Sequence, residues 1–150
     1  MNRASSTPNR YFVLILFAVV CLLTVDSSAQ EKTSDIAKLI GTWTGESICA
    51  NKEKFPGCKD EHVVYHVKLT PNKTDTVTFT MNKIVDGKEE FMGEGDFVYD
   101  QQKQTLVSEF KNSRVHLTIE FVVKADVIEG IVAALPERTI VRNVRVKKDK

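Results

Sequence analysis

The side chains that could do chemistry in this 150-residue chain are few: three histidines, two cysteines beyond residue 30, one group of acids and a serine. His62 and His66 stand four apart. On a helix they would be neighbours able to share a metal. On a strand they lie roughly 13 Å apart, and the Val63-Val64-Tyr65 run between them favours a strand. His116 alternates with apolar neighbours and faces solvent, so no metal site is expected. Glu90, Glu94 and Asp96 share one side of their segment, where a solvated strand face is the plainer reading than acid-base chemistry. Ser47 falls on the same side as Trp43 and Gly45, but no inward histidine is there to activate it. No phosphate-cradling glycine loop occurs. The expectation is a protein that is not an enzyme, with no catalytic residues, no metal and no cofactor.

Cys49 and Cys58 enclose eight residues, including the chain-reversing Pro56-Gly57. A metal or redox pair would need a C-x-x-C spacing, nearby histidines or a second pair. In an exported chain the two are expected to be oxidised. Closing so short a loop is worth about 2–3 kcal/mol by the chain-entropy model.

The case for export comes from the first thirty residues. Arg3 and Arg10 form a basic head, Tyr11 to Leu23 is an unbroken apolar run of 13 residues, and Thr24 to Gln30 is polar and small. That order is the mark of a secretory signal with cleavage near Ala29, since Ser27 and Ala29 suit the small-x-small exit. A membrane span needs about 20 apolar residues. Residues 1–29 are therefore expected to be a signal peptide and 30–150 the mature domain, secreted or periplasmic, without stable membrane insertion. Cleavage removes two of the 21 bases and one of the 20 acids, leaving 19 of each. A neutral chain is not steered to nucleic acid, and the basic end (Arg142, Arg145, Lys147, Lys148, Lys150) reads as a solvated strand terminus. Asn72-Lys73-Thr74 matches a glycosylation acceptor, relevant only in a eukaryotic secretory route.

The elements that must position these groups are strands. After a polar lead, in which Ser34 or Asp35 could cap one helical turn, the apolar residues alternate. The segments are Thr42–Ala50, Glu61–Thr70, Asp75–Val85, Lys88–Tyr99, Gln104–Phe110, Arg114–Lys124, Val127–Leu135 and Arg138–Lys147. Asp86-Gly87 is a hairpin signal requiring positive φ, and Ala125-Asp126 is a tight turn without glycine, so strain is expected there. Gly93 and Gly95 mark a bend. The expected inner faces hold Val63, Tyr65, Val67 and Leu69; Val77, Phe79 and Met81; Phe91, Phe97 and Tyr99; and Val115, Leu117, Ile119, Phe121 and Val123. Short links force antiparallel neighbours. Eight strands with a single apolar face are best served by closure. The fold class expected is all-β, an eight-stranded antiparallel up-and-down β-barrel.

Gly41-x-Trp43 on the first strand, followed by this meander, resembles the signature of the lipocalin and calycin barrels, with the small lipocalin-like proteins of bacterial envelopes the nearest likeness. The resemblance implies that Trp43 plugs one end and that an arginine of the last strand packs across it. Arg142 matches that place, sharing a strand face with Ile140, Val144 and Val146. It further implies a small apolar ligand in the lumen, lined by Trp43, Tyr65, Phe79, Met81, Phe97, Tyr99, Leu117, Phe121 and Arg142. The other reading of that list is that these side chains simply fill the lumen. The small haem-binding barrels with a similar opening run need an inward histidine on a late strand, and none is available. The alternative function is a protein-interaction or protease-inhibitor module that uses the Cys49–Cys58 loop.

Overall fold

The computed structural model describes residues 35–150. The signal peptide read at residues 1–29 lies outside the described residues. Alternation of apolar and polar side chains becomes eight strands: β1 (Gly41–Cys49), β2 (Glu61–Leu69), β3 (Thr76–Val85), β4 (Lys88–Asp100), β5 (Thr105–Lys111), β6 (His116–Lys124), β7 (Val127–Ala134) and β8 (Thr139–Lys148). Each pairs antiparallel with the next, and β8 returns to β1, so the sheet is a closed barrel. Closure leaves the apolar faces inside and removes the free edges that an open sheet would present. No helix among the described residues is long and apolar enough to cross a membrane.

Turn chemistry explains the short links. Asp86 and Gly87 both have positive φ, at 52° and 75°, as a two-residue hairpin turn demands. Ala125, at φ 52°, occupies the same left-handed region, and an L-residue with a Cβ is strained there. The anticipated strain is therefore present.

One end is closed by a helical turn at 35–37 that brings Ile36 and Leu39 under the barrel, both buried. Trp43 is fully buried above them, and its indole Nε1–H donates to the Leu39 carbonyl at 2.8 Å. The indole satisfies its one donor without meeting water. Trp43 plugs this end as expected.

Two β-bulges change which side chains face inward. In β4, Met81 pairs with Gly93 and Asn82 with Phe91, so Met92 is the extra residue. Gly93, Gly95 and Phe97 stay on the lumen side, but Phe91 is turned outward and is 68% exposed. In β8, Val132 pairs with Arg142 and Ala133 with Ile140, so Val141 is extra. Arg142, Val144, Val146 and Lys148 share the inner face, whereas Ile140 does not and is exposed. An extra residue in a ladder shifts every later side chain to the opposite face. Leu69 and Val115, also expected inside, lie at strand ends and are exposed.

Candidate functional site

The lumen divides into a filled half and an open half. Above Trp43, Phe79 and Phe97 pack at 4.4 Å between ring centroids, Phe97 stacks on Phe121 at 5.6 Å, and Tyr65 meets Phe79 and Phe121 at 6.1 and 6.5 Å. Each such ring buried contributes about 1.5–3 kcal/mol, with about 0.5–1.5 kcal/mol more for a well-placed aromatic pair. These rings are core. Of the residues expected to hold a ligand, Trp43, Tyr65, Phe79, Phe97 and Phe121 are packed on one another, and Tyr99 is buried at the closed end.

The open half lies at the seam between β4 and β5. Their ladder consists of three pairs, Val98 with Val107, Tyr99 with Leu106, and Asp100 with Thr105. Beyond Val98 the strands splay. The bulge at Met92 kinks β4, and Gly93 and Gly95 have no side chains to fill the space they face. A Cβ added at Gly93 would meet nothing within 4 Å, and at Gly95 only the Ser108 hydroxyl at 3.8 Å. A cleft of about 430 Å³ opens there. Its floor is Met81, Leu117 and Ile119, with Met92 and Phe110 at the sides, and its rim carries Glu94, Asp96 and Glu109. Met81 and Leu117 are thus the expected ligand-lining residues that do border open space. The two glycines, read from the sequence as a bend, are what opens it.

A polar group sits deeper, on the lumen faces of β1, β2 and β8. Arg142 pairs with Cys49 in the ladder, and its Nη1 donates to the Ser47 hydroxyl at 3.0 Å and to the Ser47 carbonyl at 3.2 Å. The same nitrogen lies 3.0 Å from Glu61 Oε2, both side chains being about four-fifths buried. Burial pushes the Tyr65 phenol well above its ordinary pKa; the Arg142 charge opposes that rise and the Glu61 charge adds to it. The Tyr65 hydroxyl therefore stays protonated, within the field of both charges.

Arg142 does not pack across Trp43. The register places Trp43 opposite Lys148, six residues from the Cys49–Arg142 pair along β1, a separation of roughly 20 Å. The cation over the indole is Lys148, whose Nζ lies 5.6 Å from the ring centroid and donates to the Lys38 carbonyl. The basic strand end is thus in part a closing element of the barrel.

The remaining chemical candidates are scattered over the outer wall. His66 accepts or donates at Thr42 Oγ1 (3.2 Å) and Glu89 (2.8 Å), His116 pairs with Glu109, and His62 lies 3.9 Å from Glu46. No group of three potential metal ligands forms among the described residues. The three acids of β4 are also separated. Glu94 takes Thr80 and Lys68, Asp96 takes Thr78 and Lys73, and the bulge turns Glu90 to the lumen-side rim opposite Lys83. The hydrogen bond from Lys73 holds the Asp96 carboxyl below its ordinary value, as that from Thr80 does for Glu94 and that from His66 for Glu89.

Cys49 and Cys58 form a disulfide, with Cα atoms 6.0 Å apart. Asp60 accepts from the Cys49 amide at 2.9 Å and from Lys52 at 2.7 Å, and Lys54 reaches Thr139. No protein-family model matches this chain, and no curated protein matches it at a significant level.

Proposed function

We propose that this protein is a non-catalytic, lipocalin-like binding barrel that is exported and holds a small apolar or amphipathic molecule in the β4–β5 cleft. The observation that carries this reading is the interrupted ladder. An otherwise continuous barrel stops pairing after Val98–Val107 and leaves apolar side chains lining about 430 Å³. That volume falls within the range of small-molecule sites, which are mostly apolar with a few polar groups. Export is supported by the disulfide, which persists in oxidising compartments.

The test is titration with the neutral fluorophore N-phenyl-naphthylamine. Saturable enhancement at micromolar concentration, competed by unlabelled apolar molecules, is the expected result. No enhancement, together with native mass spectra showing only the bare chain, rejects the carrier.

A second reading, an interaction module built on the Cys49–Cys58 loop, draws on how firmly that exposed loop is held by the disulfide, Asp60 and the Lys54–Thr139 hydrogen bond. A stoichiometric protein captured by the native chain and lost on Lys52→Glu/Lys54→Glu substitution would favour it.

A further inference from the structure

The seam offers backbone as well as apolar side chains. A strand residue sends its amide and carbonyl toward one neighbouring strand, and the next residue sends its own the other way. The Tyr99 amide donates to the Asp75 carbonyl on the β3 side, so the backbone groups of Glu94 and Asp96, like those of Val98, face β5. The Gln104 carbonyl accepts from the Val123 amide, and the Asn112 amide donates to the Val115 carbonyl, both toward β6. The backbone groups of Glu109 and Lys111, like those of Val107, therefore face β4. The β4–β5 ladder ends at Val98–Val107, so Glu94, Asp96, Glu109 and Lys111 have no ladder partner across the seam. Both segments nonetheless remain strands, held on their other sides by β3 and β6. A strand edge with unused donors and acceptors is a template for a further strand.

We propose that the seam is a strand-addition site, in which an extended segment of another polypeptide lies between β4 and β5. The inference rests on the seam being the binding site and adds a class of occupant that uses its backbone edges. A second copy of the barrel has no strand to insert, since its eight strands are committed to one closed sheet. In strand addition, main-chain hydrogen bonds supply affinity and alternate side chains supply selectivity. Side chains turned inward meet Met81, Leu117 and Ile119, with room made at Gly93, where an added Cβ meets nothing within 4 Å. Those turned outward meet Glu94, Asp96 and Glu109, and no base lines the cleft. Lys68, Lys73 and His116 offset these carboxylates only from outside the lining. The segment that fits therefore alternates apolar and basic residues.

The experiment is calorimetric titration of the exported protein with a short, acetylated and amidated peptide alternating valine and lysine, and with the same peptide N-methylated at alternate amides. The unmodified peptide should bind at least about tenfold more tightly, because N-methylation removes donors to one strand edge and keeps the side chains. Its binding should slow hydrogen exchange at the amides of Glu94, Asp96, Glu109 and Lys111. Glu109→Pro removes a donor that faces the seam and no bond of the β5–β6 ladder, a place where an edge strand tolerates proline. It should weaken the peptide severalfold more than Glu109→Gln, which removes the charge and keeps the amide. Equal affinity for the two peptides, or binding without exchange protection at those amides, overturns strand addition. No binding of the peptide where N-phenyl-naphthylamine binds removes strand addition alone, and failure of both probes removes the cleft reading with it.

Discussion

The ammonium of Lys148 lies 5.6 Å from the centre of the Trp43 ring, on the inner face of the last strand, and also holds the Lys38 carbonyl of the closing turn. One side chain thus ties the last strand, the first strand and the plug together. A cation over an indole at a partly exposed site is worth about 0.5–1 kcal/mol. Trp43 is the only tryptophan, so its fluorescence reports on this end alone. Lys148→Met should change the emission and lower stability by about 1 kcal/mol. Arg142→Lys should leave the emission maximum where it is. A shift in the second variant and none in the first would put the cation of the seal elsewhere.

Two glycines mark where strands are pressed closest. A Cβ at Gly45 would lie 2.1 Å from the Arg145 carbonyl oxygen, and one at Gly130 would lie 2.0 Å from that of Glu120. Both obstacles are backbone in the neighbouring ladder and cannot swing away. Gly45→Ala and Gly130→Ala should each cost about 2 kcal/mol or more, as overpacking does. Gly93→Ala, with open space around it, should stay within about 0.5 kcal/mol of the parent. Thermal unfolding of the three variants decides the matter, and equal melting temperatures would contradict the close approach.

Particular residues show how far the sequence could be read. Strict alternation in Val77, Phe79 and Met81, and in Leu117, Ile119 and Phe121, carries its own face assignment, and those residues point inward. Asp86-Gly87 and Ala125 were legible because φ preference is local. The bulges at Met92 and Val141 were not, because an extra residue inverts the face of Phe91 and Ile140 without altering composition. The partner of Trp43 was misassigned for a related reason. The register of β8 on β1 is set by closure of the whole barrel, and no local pattern distinguishes Arg142 from Lys148 on one strand face. The cleft left only a faint trace, Gly93 and Gly95 on a lumen-facing side.

Acid should loosen the outer wall of β2–β4. Asp96 is held below its ordinary 3.8 by Lys73 and Thr78, and Glu89 below its ordinary 4.5 by His66 and Asn82. A folded-state pKa lower than the unfolded one means that the unfolded chain binds more protons in that range, so stability rises with pH there. The contribution is present above the ordinary values and is lost as pH falls through the lower, folded ones. Urea midpoints should therefore drop between about pH 5 and about pH 2. Asp96→Asn should flatten the lower part of that slope. An unchanged slope would remove Asp96 from the acid response.

Reducing the Cys49–Cys58 disulfide should cost about 2–3 kcal/mol, most of it through the unfolded chain. The bond closes the β1–β2 connection, whereas the cleft is bounded by β4 and β5. A Cys49→Ser/Cys58→Ser variant that still folds should therefore keep its ligand affinity while its urea midpoint falls. Loss of binding without loss of fold would point to the loop as the contact element.

The sharpest test of the cleft is to fill it from within. Gly95 faces the space between β4 and β5, with the Ser108 hydroxyl 3.8 Å from where a Cβ would stand. Gly95→Leu would place an isobutyl group in the cleft that Met81 and Ile119 also line, in the volume a ligand would use, and its Cβ would meet no backbone within 4 Å. Strand propensity favours the change, since glycine is weak in a strand, so stability should hold or rise by about 0.5 kcal/mol. Apolar-probe affinity should fall by about tenfold or more, because the apolar surface that would bury the probe is already covered. A stable variant that binds as the parent does would show that the ligand lies elsewhere, whereas loss of binding with the fold intact places it in the seam.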